Sequence, residues 1–327
     1  MTSPTGGRRR TAASVPDLVS RAREGHVPSV ARLISLVEDR SPRLREVMQE
    51  LAPYAGRAHV VGITGAPGVG KSTSTNALVG QLRARGQRVA VLAIDPSSPF
   101  SGGALLGDRV RMGEHSVDPQ VFIRSMASRG HLGGLSWATP QAIRVLDAAG
   151  YDTVLVETVG VGQSEVEIVG AADTTLVLLA PGMGDGIQAA KAGILEIGDV
   201  YVVNKADRDG ASAVRRDLRS MLSLAPRPEG AWRPPVLLTT AQSGDGVGEV
   251  VEALHDHRAH LRASGDLSAR RRERARREIE AIALESLSAR WGAMGERGRL
   301  DDLAGLVVSG DLDPYAAADE LLAHPEG

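Results

Sequence analysis

Between residues 59 and 240 short apolar runs recur, at Val60–Ile63, Val89–Ile94, Val121–Ile123, Val154–Val156, Thr175–Leu179, Val200–Val203 and Val236–Leu238. Stretches of helix length separate most of them. Several runs are continuously apolar rather than alternating, the pattern of parallel strands covered on both faces. The expected fold class is α/β with a mostly parallel sheet. Before this region Leu18, Ala22, Val30, Leu33, Ile34 and Val37 recur at helical spacing, and Pro42 opens a further helix carrying Leu44, Val47, Met48 and Leu51. Pro53 and Gly56 mark a boundary. After Leu261 the pattern becomes helical again. Ser268–Arg290 reads as one long helix, and its stripe continues through Ala275, Ile279, Ile282, Ala283, Leu287 and Trp291. Two shorter helices follow, around Leu303–Val308 and from Asp313-Pro314. The expected organisation is a tail and helical segment over 1–57, an α/β domain over 58–262 and a helical arm over 263–327. The arm's stripe needs cover; a second copy of the chain is preferred over the chain's own main domain. Linkers are short, Leu224–Pro235 being the longest, which points to one compact molecule.

Composition adds mostly exclusions. The chain of 327 residues carries a net charge of −2 and no cysteine. Nothing global points to a nucleic-acid partner. A disulfide framework or thiolate metal site is ruled out, which fits a reducing cytoplasm. No run reaches the length of a membrane span. Arg8, Arg9 and Arg10 are not followed by an apolar segment, so the start reads as a solvated tail rather than a secretory signal.

The chemistry is concentrated after the apolar runs. Behind the first comes Gly65-Ala66-Pro67-Gly68-Val69-Gly70-Lys71-Ser72-Thr73, the pattern G-x-x-x-x-G-K-[ST] between a strand and a helix. Phosphate needs N–H donors that approach closely, and Gly65, Gly68 and Gly70 offer no Cβ to obstruct them. The helix N-terminus adds partial positive charge. Lys71 is expected to reach the β- and γ-phosphates, and the Ser72 hydroxyl to sit on Mg²⁺. This makes the fold a P-loop NTPase, whose ligands lie at the carboxyl ends of the strands.

The run ending at Val203 is followed by Asn204-Lys205-Ala206-Asp207, or N-K-x-D. Asp207 can accept from the ring N1–H and the exocyclic amine of guanine, whereas adenine would leave it unpaired. Lys205 can lie over the base and Asn204 can brace the loop. Thr240-Ala241-Gln242 stands where a backbone N–H would hold the guanine O6. Glu157 ends another run and precedes a Gly-rich turn, an arrangement that places a carboxylate near Mg²⁺ and the attacking water. Whether so long a side chain ligates Mg²⁺ directly stays open. Asp95 and Asp108 suit oxygen-ligated Mg²⁺. The plainer readings are an Asp-Pro turn for Asp95 and an ion pair with Arg109 or Arg111 for Asp108. His255, His257 and His260 invite a metal reading, but helical spacing scatters His255 from the other two, and a surface helix is expected.

Six blocks together resemble one family: Gly65–Thr73, Ala93–Met112, Arg124–Leu135, Glu157–Glu165, Pro181–Ile197 and Asn204–Asp207. The family is the GTPases associated with methylmalonyl-CoA mutase, which also carry an older name as arginine/ornithine transport kinases. The resemblance implies a homodimeric, Mg²⁺-dependent GTPase of the signal-recognition and metallocentre-assembly class. It implies a chaperone that couples GTP binding and hydrolysis to cofactor loading of an adenosylcobalamin-dependent acyl-CoA mutase. On the matching positions, Lys71 and Ser72 would hold phosphate and Mg²⁺. Asp95, Asp108 and Glu157 would form the metal and catalytic shell, and Asp207 with Thr240–Gln242 the base pocket. Pro181–Lys191 would be a further switch, and the C-terminal helices the dimer arm. Two rivals remain. A nickel-inserting GTPase of the same fold lacks support from cysteine or clustered histidine. A transport-associated kinase is disfavoured by the guanine motif.

Overall fold

The computed structural model describes residues 13–95, 113–115, 117–127, 138–158, 164–182, 195–224, 226, 228–293 and 297–323. Among them seven strands form one parallel sheet: β1 His59–Thr64, β2 Val89–Asp95, β3 Val121–Ala127, β4 Thr153–Thr158, β5 Thr174–Leu179, β6 Val200–Val203 and β7 Val236–Leu238. Their order is β3-β2-β4-β1-β5-β6-β7, so β1 lies between β4 and β5. Each apolar run expected to be a strand is one, within a residue or a few at either end.

The runs are continuously apolar because both faces are covered. Along β2, Ala90, Leu92 and Ile94 enter one core while Val89 and Val91 enter the other. β4 divides likewise, with Val154 and Val156 opposite Leu155. The first core is deepened by α1 (Val15–Arg23), α2 (Val27–Glu38), α3 (Leu44–Leu51) and α5 (Thr139–Ala148). The second is closed by α4 (Lys71–Ala84) and α8 (Val247–Ser264). Helices α6 (Ser164–Ala171) and α7 (Ala211–Leu224) complete the wrapping.

The N-terminal helices are joined to the sheet by polar as well as apolar ties. Arg124 of β3 pairs with Glu38 at the end of α2. Asp147 of α5 accepts from three successive backbone N–H groups, Gly56 at 2.5 Å, Arg57 at 3.0 Å and Ala58 at 2.8 Å. This clamp fixes the segment entering β1.

The chain divides into two compact units, the break falling after Ser268. Short linkers point to one; the structure differs because the described apolar residues of α9 (Asp266–Ala293) do not join a core. Ile279 is 67% exposed and Leu284 59%. In the second unit α10 (Arg297–Ser309) and α11 (Pro314–Ala323) pack on each other. No described helix is long and apolar enough to cross a membrane.

Candidate nucleotide site

β1 delivers the phosphate-loop sequence to the centre of the sheet's carboxyl edge. Gly65 takes φ 144° and Gly70 φ 97°, a region costly for residues with a Cβ. A Cβ on Gly65 would lie 2.3 Å from the Leu178 carbonyl oxygen, and one on Gly70 2.5 Å from Asn204 Nδ2. Glycine is therefore required at both by conformation and by space. Gly70 caps α4, whose first residue is Lys71. The buried Lys71 ammonium donates to the Gly65 carbonyl at 2.7 Å and the Ala66 carbonyl at 3.2 Å. Val69 is buried beneath the loop, while Pro67, Gly68 and Thr73 are exposed.

The Ser72 hydroxyl donates to Glu157 Oε1 at 2.7 Å. Strand register sets this meeting, since Glu157 of β4 pairs with Ile63, two residues before Gly65. Glu157 is only 4% exposed. A hydroxyl and a carboxylate converging beside the loop form a hard oxygen donor pair that fits Mg²⁺. Asp95 is the last residue of β2, paired with Ala127. Its side chain, Asp108 and residues 159–163 and 183–194 lie outside what the structure describes, so the readings placed on them stay expectations.

The second loop follows β6. Asn204 is buried and uses both ends of its amide. Its Nδ2 donates to the Val69 carbonyl at 2.9 Å. Its Oδ1 accepts from the Ala241 N–H at 3.0 Å and the Thr239 hydroxyl at 3.2 Å. One side chain thus joins the loops after β1, β6 and β7. Lys205 has φ 58°, a left-handed backbone costing about 1 kcal/mol for a non-glycine residue. Its ammonium donates to the Gly68 carbonyl at 2.7 Å. Asp207 and Gln242 are exposed at the loop tips, and Thr240 and Ala241 sit in the turn that the Thr240–Asp245 bridge closes. Thr239 was not singled out by sequence. Its only signal is a hydroxyl residue directly after β7, and its contact with Asn204 spans 35 positions.

The histidine region corrects an expectation. His257 is not on a surface: it is 0% exposed. Its Nδ1 lies 2.9 Å from Thr174 Oγ1, which is 2.7 Å from His59 Nε2. Its Nε2 faces Asp199 Oδ1 at 3.3 Å, and Trp232 covers it with ring centroids 4.9 Å apart. Helical spacing alone treats α8 as isolated, whereas its cover comes from the starts of β1, β5 and β6. This cluster lies at the amino ends of the strands, opposite the phosphate loop.

The model for methylmalonyl-CoA mutase-associated GTPase MeaB matches residues 30–296. The chain belongs to this family. It is a GTPase of the MeaB family, and the match runs from within α2 to beyond the end of α9. A Pyrococcus abyssi relative named as a GTPase is 47% identical over 310 residues, covering 94% of this chain and 96% of its own. The mouse mitochondrial homologue of methylmalonic aciduria type A protein is 36% identical, covering 91% of this chain and 76% of its own. A crystal structure described as LAO/AO transport system kinase superposes with a TM-score of 0.71 at 29% identity, covering 96% of this chain and 98% of that one. The MeaB-family fold is thus a P-loop GTPase sheet with helical additions.

Proposed function

We propose that this MeaB-family GTPase binds GTP with Mg²⁺ and serves as a partner-gated chaperone for an adenosylcobalamin-dependent acyl-CoA mutase, methylmalonyl-CoA mutase first among them. The observation that carries the nucleotide half is Asn204, whose amide ties the phosphate loop to the two loops that would form the base pocket. The family description supports the mutase half.

In this reading the N–H groups of Gly65–Thr73 cradle the phosphates, and Lys71 exchanges its loop carbonyls for phosphate oxygens. Asp207 reads the guanine N1–H and amine, Lys205 covers the base, and Thr240–Gln242 closes the pocket. Ser72 and Glu157, with Asp95 and Asp108, would hold Mg²⁺, which when bound supplies neutralising charge at the β- and γ-oxygens. Water attacks the γ-phosphorus in line, the bond to the β–γ bridging oxygen breaks, and GDP and phosphate result. The output is a change in the Gly-rich loops felt by the mutase, with a cytoplasmic homodimer formed through the α9 stripe.

The test is GTP turnover by the full chain, alone and with a cobalamin-dependent acyl-CoA mutase from the same organism. A slow basal rate raised severalfold by the mutase is expected. A basal rate that the mutase leaves unchanged removes the client and keeps the GTPase. Turnover of ATP in place of GTP removes the guanine assignment.

A further inference from the structure

A cavity of about 390 Å³ lies at the amino end of β7, on the edge of the sheet away from the phosphate loop. That volume is in the range of small-molecule sites, roughly 300–1,000 Å³. Its walls come from the last turns of α7 and from the segment entering β7. Arg219 and Arg233 supply two guanidinium groups, Ser223 a hydroxyl, and Leu222, Pro234 and Pro235 an apolar surface; among the described residues no acidic one lines it.

Both walls are held from behind. Arg219 donates to the Val236 carbonyl at 3.3 Å, which orients its fork and leaves other N–H groups to spare. The Pro235 carbonyl accepts from the Tyr201 N–H at 2.9 Å, fixing that segment to β6. Trp232, next to Arg233, donates its indole N–H to the Asp199 carbonyl at 2.7 Å and packs on His257 and His260. Among the described residues neither Arg219 nor Arg233 forms an ion pair.

We infer that this cavity is a second ligand site, for a small phosphate monoester with a flat ring body. Two arginines on the walls of one half-open cavity match a dianion with three terminal oxygens better than a single carboxylate, which one guanidinium would satisfy. The proline rings and Leu222 offer a flat, rigid apolar wall that orders without loss of side-chain freedom at the prolines. The site is separate from the nucleotide loops and does not depend on the mutase reading.

Calorimetric titration of the full chain with phenylphosphonate, with GDP and Mg²⁺ saturating, tests this without competition from the phosphate loop. Single-site binding is expected, weakened about tenfold or more by Arg219→Gln and by Arg233→Gln. GTP turnover should be unchanged in both variants. Inorganic phosphate should bind more weakly than phenylphosphonate, and the Trp232 indole N–H resonance of the wild-type chain should shift on titration. Absence of saturable binding, wild-type affinity in the double variant, equal affinity for inorganic phosphate, or binding that leaves the Trp232 resonance in place would each overturn the assignment.

Discussion

At the carboxyl ends of β1, β6 and β7, side chains hold loops by their carbonyl groups: Lys71 on Gly65, Asn204 on Val69, Lys205 on Gly68. At the amino ends of β1, β5 and β6, side chains hold one another: His59 to Thr174, Thr174 to His257, with Asp199 beyond. The two ammonium bonds of the first kind are exchangeable, while Asn204 braces the loop. An ammonium on a carbonyl loses little when an anionic phosphate oxygen replaces it. The second kind is closed. In the tautomers that carry their protons on Nε2, His257 Nδ1 accepts from the Thr174 hydroxyl, whose oxygen accepts from His59 Nε2–H. No member of that chain can be removed without leaving a buried polar group unpaired. The same sheet therefore carries one edge whose ammonium bonds can be exchanged, the proposed working edge, and one whose side-chain network is closed.

Substitutions at the two edges should separate activity from stability. The largest effect is expected from Lys71→Ala, which should lower GTP turnover by at least about 100-fold with little change in melting temperature. Unchanged hydrolysis would mean the working edge lies elsewhere. Asp147→Ala, which strips three N–H groups of their acceptor at the entry to β1, should cost about 3 kcal/mol of unfolding free energy while the folded fraction keeps wild-type turnover. Denaturant melts with superposable midpoints would show the clamp to be idle. Asp207→Asn should weaken GTP binding by about 2 kcal/mol and narrow its advantage over other purine nucleotides, as read by competition binding. The most gradual effect, spread over several pH units, belongs to His59. Burial first, then the Arg258 cation, lowers its pKa from 6.5 to about 3, against the opposing pull of Asp173. Between those values the unfolded chain binds the extra proton, so stability is full above pH 6.5 and is lost as pH falls toward 3. The slope from this group is about 1.4 kcal/mol per pH unit. Urea midpoints that stay level between about pH 6.5 and pH 5 would contradict it.

How much of this was legible beforehand follows the same division. Strands such as β4 and β5 could be read from residues alone, because cover on both faces leaves a continuous apolar run. The loops after β1 and β6 stood out as a candidate site because a phosphate cradle and a base-reading carboxylate each demand fixed residue types at fixed spacing. His257 was not, because its partners Thr174 and His59 are 83 and 198 positions away in a network that no local pattern encodes. The stripe on α9 announced a helix with an apolar side, as the pattern in α2 did. Yet Leu33 and Ile34 of α2 are fully buried and Ile279 of α9 is exposed. Periodicity reports a face that needs cover and is silent on what covers it.

The amide of Asn204 also constrains how the protein is made. Its bonds reach back 135 positions to Val69 and forward 37 to Ala241. A ribosome will have released the phosphate loop long before either Asn204 or Ala241 is synthesised. Until the last strand has docked, the nascent chain carries a complete glycine-rich motif with no brace beneath it. Full bracing of the motif is thus postponed to the end of sheet assembly.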